Sequence, residues 1–357
     1  MKLETFKPVE VEGRFFYKGD KRFLIHGVAY GIPNAKGEMS LLDPLSDNQI
    51  NYLEACIPFF KWLRINCIFV ARIDPTQHHS KAMSMLADAG IHVLVSIEAA
   101  FKSSVSPESW LATEVEYNEK SWYFRIVASM STYPNTLGFA ISRESDNHHG
   151  LNEATRFAVG RIKHYIAQLA AQNKQRIIPV GVIASRIPDT LEDQMKMLTK
   201  PKCPPGDTDP IDFFGFSGMF YFNTAVKYTK LVDCDGECFV DEPDCIDMAH
   251  GLGESTVPIF LTEYGNSQVR PRRFIGTWHI FMHSKLRTVF SGAFLDFFET
   301  TTKQGLVYLK KDDKGDESIE PLRDFAYLEE MVEVISERIP ARNSMSLDHG
   351  EVQNVSN

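Results

Sequence analysis

The run TLGFAIS (136–142), the stretch from Asn152 to Asn173 and the run RIIPVGVIA (176–184) decide the fold when read together. In the middle stretch Ala158, Ile162, Tyr165, Ile166 and Leu169 recur at helical spacing. The flanking runs are apolar throughout instead of alternating, as strands covered on both faces are. Strand, helix, strand in that order predicts a parallel pair joined by a crossover helix.

The same unit extends in both directions. Upstream lie RFLIHGVAY (22–30), INCIFVARI (65–73) and HVLVSIE (92–98); downstream lie DFFGFSGMF (212–220), PIFLTEY (258–264) and VFSGAFLDFF (289–298). A shorter helical pattern covers Ala82 to Ala89, with Gly90 placed to stop it. Eight strands separated by helical patterns favour a single α/β domain, a (β/α)8 barrel, over an open sheet. No G-x-G-x-x-G follows the first strand and no G-x4-G-K-[ST] occurs, so a nucleotide-binding sheet loses ground. The expected barrel spans residues 1–340, and 341–357 form a polar tail expected to be disordered. The longest connections, Ser185 to Pro210 and Tyr221 to Val257, are of the length that builds the rim of a site.

Composition narrows the partners. With 43% hydrophobic and 24% charged residues this is an ordinary globular chain, and a net charge of −9 argues against a nucleic-acid surface. The opening MKLETFKPVEVEGRFFYKGD has no apolar run of leader length, and no stretch approaches the roughly 18 apolar residues of a membrane helix. These features predict a cytoplasmic protein without a membrane anchor. Cys234, Cys238 and Cys245 are spaced C-x3-C-x6-C, yet no fourth ligand lies at a customary distance, so neither a metal nor a cofactor is expected. The adjacent pairs His78–His79 and His148–His149 project differently and make poor chelators.

Catalytic groups in such barrels project from the C-terminal ends of strands. Glu144 closes LGFAISRE at the end of the fourth, and Glu263 closes PIFLTEYG at the end of the seventh. Two carboxyls facing each other across a mouth, about 5 Å apart, are what a retaining glycosidase needs. His26, Tyr30, Asp146 and Tyr264 are near enough to join them.

Across about residues 12 to 340 the chain resembles the fungal β-1,3-glucanosyltransferases. The resemblance is carried by RFFYKGDKRFLIHGVAY, DPLSD, IDPT (73–76), LADAGI (86–91), LGF (137–139), PVG (179–181), IDFFGF, VPIFLTEYG, SGA and GLV. It implies a (β/α)8 barrel that remodels extracellular glucan by a retaining mechanism, with the acid/base on Glu144 and the nucleophile on Glu263. The departures carry equal information. Where the family has Gly-Asn-Glu, this chain has Ser142-Arg143-Glu144, and a guanidinium beside Glu144 would lower its pKa, the wrong direction for an acid. Phe69 replaces an arginine and Ala71 a tyrosine. Gly215-Phe216-Ser217-Gly218-Met219 replaces Gly-Tyr-Asn-x-Tyr, and Phe294-Leu295-Asp296-Phe297-Phe298 replaces a tyrosine-bearing segment. Family cysteines fall on Leu53, Ala82 and Asn266, which points to a reducing compartment.

From these losses the substrate-binding set is read as Tyr30, Phe69, Phe216, Met219, Phe220, Tyr264, Asp296 and Phe298, with Arg143, Glu144 and Glu263 catalytic. An apolar mouth of this kind suits a hydrophobic small molecule. The leading expectation is therefore a repurposed intracellular cyclase or isomerase of specialised metabolism, with conformer-holding as its chief device. The alternative is a retaining glucanosyltransferase acting on β-1,3-glucan, and the third is a non-catalytic binding protein.

Overall fold

A computed structural model describes residues 6–34, 36–97, 122–143, 150–184, 199, 210–217, 250–263, 272, 274, 280–301, 303–311 and 317–343, with the backbone alone at 142–143, 150–154, 157, 284–285 and 337–343. Three short antiparallel strands come first: β1 (Glu10–Glu12), β2 (Phe15–Lys18) and β3 (Lys21–Phe23). Eight parallel strands then close a barrel in chain order. They are β4 (Ile25–Ala29), β5 (Cys67–Val70), β6 (His92–Ser96), β7 (Thr136–Arg143), β8 (Val180–Ala184), β9 (Phe214–Ser217), β10 (Ile259–Glu263) and β11 (Phe290–Asp296), with β11 returning to β4. Each expected strand holds one barrel strand.

The helices are α1 (Ile50–Trp62), α2 (Ser80–Asp88), α3 (Trp122–Met130), α4 (Gly150–Asn173), α5 (Ser284–Val289) and α6 (Arg323–Asn343). Ala158, Ile162 and Ile166 of α4 are buried as their spacing requires. Gly90 follows α2 with φ +79°, a left-handed conformation that ends a helix at little cost to glycine. Among the described residues, no helix is long and apolar enough to cross a membrane.

Three features were not legible in the pattern. The run 22–30 is two strands, because Asn66 interrupts it: its amide donates to the Leu24 carbonyl (2.8 Å) and its Oδ1 accepts from the His26 amide (2.9 Å). The hairpin of β1 and β2, and the late hairpin of β12 (Val307–Lys311) and β13 (Glu317–Pro321), alternate too weakly to stand out.

Two apolar layers hold the molecule. The larger lies between barrel and helices and takes Val28, Ile68, Val93, Phe139, Val182, Phe214, Leu261 and Leu295 from the strands' outer faces. The smaller fills the barrel with Ile25, Cys67, Leu94, Ala140, Ile183, Phe213, Phe260 and Phe294. Large rings fit because glycines face them: a Cβ at Gly27 would collide with Phe294, and one at Gly181 with Phe213. At the strands' N-terminal end β2 seals the barrel, where the Phe16 ring sits 6.0 Å from Phe213 and 6.3 Å from Phe260. Any approach to the interior is therefore from the C-terminal ends of the strands. That is where a barrel of this class keeps its chemistry.

Candidate active site

Side-chain alternation along β10 would defeat the site if nothing interrupted it. Phe260 points inward and Leu261 outward, so an even strand would turn Thr262 inward and Glu263 out. The register shifts between Leu261 and Glu263: Leu261 pairs with Phe216 and Glu263 with Ser217, leaving Thr262 as an extra residue. This β-bulge aims Glu263 into the mouth, a use of bulges common beside active sites. The Ser217 hydroxyl donates to Glu263 Oε2 at 3.2 Å.

β11 carries a bulge as well. Ile259 pairs with Phe290 and Leu261 with Ala293, two steps on one strand against three on the other. Gly292 absorbs the extra residue at φ +114°, where a Cβ would overlap the Ile25 backbone. Beyond it Ala293 and Leu295 face outward and Phe294 inward, which turns Asp296 inward at the level of Ala29 on β4. Ala29 in turn pairs with Phe69 on β5. Ser217, Glu263, Asp296 and Phe69 thus line one arc of the mouth.

The electrostatics follow from this placement. Burial pushes Glu263 above the ordinary carboxylate range, and the Ser217 hydrogen bond pulls it part of the way back. Asp296 is pushed up to about 7, first by burial and then by the negative charge of Glu263. Arg272 acts in the opposite direction, and Glu299 adds repulsion. Arg272 is itself committed elsewhere. Its Nε donates to Asp324 (2.7 Å) and its Nη2 to the carbonyls of Gln304 (2.6 Å) and Gly305 (2.8 Å).

Several expected mouth residues lie elsewhere. Tyr30 is buried against Phe60 of α1, with ring centroids 5.7 Å apart. Phe298 packs on Tyr30 and Phe297, and Phe216 on Phe290, all within the layer outside the barrel. His26 meets Phe281 in the same layer. These rings face helices, so the expectation that Tyr30, Phe216 and Phe298 bind substrate is corrected: they are core. Phe69 does face inward, 6.1 Å from the Phe294 ring. Glu144, Asp146, Met219, Phe220 and Tyr264, the His148–His149 pair, the side chain of Arg143 and Cys234, Cys238 and Cys245 lie outside what is described. His79 is buried and its Nε2 is 2.6 Å from Asp43 Oδ2, a structural pairing beneath the loop between β5 and α2. Among the described residues no cluster could hold a metal ion. Ser217, and the bulge that aims Asp296 into the mouth where the sequence had placed it, escaped sequence reasoning. Gly292 was the one signal for the second.

A barrel sealed at one end, with an inward glutamate closing the seventh barrel strand, fits the sequence pattern of the glucanosyltransferases, which matches residues 1–336. The chain belongs to the glucanosyltransferase family. Curated relatives include the 1,3-beta-glucanosyltransferase gas1 of Schizosaccharomyces pombe, 29% identical over 335 residues, which cover 91% of this chain and 55% of that protein. The 1,3-beta-glucanosyltransferase PGA4 of Candida albicans is 27% identical over 307 residues, covering 85% of this chain and 62% of that one. This chain therefore spans less than two thirds of the length of either relative. Among solved structures, Saccharomyces cerevisiae Gas2p in complex with laminaripentaose superposes with a TM-score of 0.72 at 24% identity, over 93% of this chain and 70% of that one. That likeness shows the fold, and the family fixes the class of chemistry to consider first.

Proposed function

We propose that this chain is a retaining β-1,3-glucanosyltransferase with Glu263 as nucleophile and Glu144 as acid/base. The observation that carries the reading is the bulge on β10, which spends a residue to bring inward the carboxylate on which the resemblance puts the nucleophile. In the first step a Glu263 oxygen attacks the anomeric carbon while Glu144 gives its proton to the departing glycosidic oxygen. In the second, an acceptor hydroxyl attacks the same carbon, its proton passes to Glu144, and the bond to Glu263 breaks. Glu144 is the next residue in sequence after β7, which lies three strands round the barrel from β10. Ser217 supports the anionic form of Glu263, the form a nucleophile needs.

The reaction is tested by incubating the protein with β-1,3-gluco-oligosaccharides and looking for longer and shorter products by mass spectrometry. The expected result is paired transfer products that vanish in Glu263→Gln, a loss of at least about 10⁴-fold. A folded protein yielding none would contradict the reading.

A second reading, a cytoplasmic cyclase or isomerase acting on a hydrophobic metabolite, is favoured by one observation: Phe69 faces inward at a position where the family carries arginine. Its original basis is narrower than the sequence suggested, since Phe216, Phe297 and Phe298 belong to the core. The relatives with a stated activity are glucanosyltransferases, which supports the first reading over this one.

A further inference from the structure

Asp296 stands in a segment where the family resemblance implies tyrosine, and it faces the same space as Glu263. Two adjacent strands each carry a bulge, one at Thr262 and one at Gly292, and each bulge turns one carboxyl inward. Such bulges are treated as built features of a fold and not as defects. The groups around Asp296 are Glu263 at the end of β10, Ser217 at the end of β9, Ala29 on β4, Glu299 just beyond β11, and Arg272. Ala29 and Ser217 bring no charge. Glu299 accepts a hydrogen bond from the Gly305 amide at 2.8 Å, and Arg272 is bound to Asp324. Among the described residues, neither Glu263 nor Asp296 has a basic group within ion-pair distance. Two buried carboxyls facing the same space do not readily both carry negative charge.

We propose that Asp296 is a positioning residue that acts through Glu263: protonated, it gives the Glu263 carboxylate a neutral neighbour; ionised, it opposes the step that releases Glu263 from a sugar. The catalytic half of this proposal rests on the glucan-transfer reading. In that step the bond between the anomeric carbon and the Glu263 oxygen breaks, and the electron pair returns to Glu263 as negative charge. A charged Asp296 alongside makes Glu263 a poorer leaving group. The protonated form of Asp296, which prevails below about pH 7, is the one that permits turnover. The two carboxyls titrate as a pair.

The test has two arms, one of which needs no activity. In the first, the carboxyl resonances of protein labelled with 13C at the aspartate and glutamate side chains are followed with pH. Asp296 is expected to titrate near pH 7, its signal to be absent in Asp296→Asn, and its midpoint to fall by about one pH unit in Glu263→Gln. An Asp296 midpoint unmoved by Glu263→Gln would overturn the coupling. In the second, transfer between β-1,3-gluco-oligosaccharides is measured from pH 4 to pH 9. In the glycosyl-protein Glu263 is a neutral ester, so Asp296 titrates there about one pH unit lower, as in Glu263→Gln. The wild type is expected to lose kcat and accumulate the covalent glycosyl-protein as pH rises through about 6 to 7. The ratio of kcat at pH 8 to kcat at pH 5 is expected to be higher in Asp296→Asn, without accumulation. The same alkaline limb in both proteins would overturn the proposal. Absence of transfer in every variant overturns the functional reading alone, and the titration then still decides whether the carboxyls are coupled.

Discussion

The two ends of the barrel treat buried ionisable groups in opposite ways. At the sealed end His92 lies wholly buried, its ring 4.7 Å from Phe6 and 5.2 Å from Phe23, and burial holds it well below the usual histidine range. Lys18 and Arg176 push it in the same direction, so it stays neutral and takes no part in any proton exchange near pH 7. At the open end the groups are acids, the burial is partial, and the same desolvation raises Asp296 to about 7. Desolvation silences a base at one end and poises an acid at the other. The difference is that the open end has brought two carboxyls together by bulges, at a cost to regular pairing, while the sealed end is plain aromatic packing.

The largest effect that would break this comparison is at the open end, where Glu263→Gln should abolish transfer while leaving the fold intact. At the sealed end, Phe260→Ala should cost about 3–5 kcal/mol in urea denaturation, because the ring fills the barrel against Phe16, Phe213 and Phe294. It should leave the Asp296 titration where it was. An unchanged stability would show that the interior is not packed as described.

pH dependence sharpens the contrast. Asp296 keeps its proton in the folded protein up to about pH 7, whereas unfolded it releases it near the ordinary aspartate value. Between those limits the folded state binds more protons, so this residue's contribution falls as pH rises. The Tm advantage of Asp296→Asn over wild type should therefore grow from pH 4 to pH 8, and a constant difference would contradict the placement. His26 gives a smaller effect of opposite slope. Its folded value is pushed down to about 4, so the unfolded chain takes up the proton first as pH falls from about 6.5. Stability should decline over that range and do so less steeply in His26→Gln.

Most of the barrel was legible because continuous apolar runs and helical spacing are properties of single segments. TLGFAIS and the 152–173 pattern needed no knowledge of their neighbours. The mouth was less legible for the same reason. Strands buried on both faces show no alternation, so Phe216 and Phe298 read like Phe69, although only Phe69 turns inward. Nor can a run such as PIFLTEY disclose a bulge, which exists only relative to the partner strand. Leu53 and Ala82, where the resemblance implies cysteines, are fully buried in the outer layer, so apolar packing occupies those positions.

The central claim is that the carboxylate aimed inward by the β10 bulge is the nucleophile. The direct measurement is to treat the protein with an activated 2-deoxy-2-fluoro β-1,3-gluco-oligosaccharide, which slows release of a covalent intermediate, and to sequence the labelled peptide by mass spectrometry. One sugar adduct on Glu263, absent in Glu263→Gln, is the predicted result. An adduct on Asp296 or another residue, or none on a folded and homogeneous protein, would contradict it.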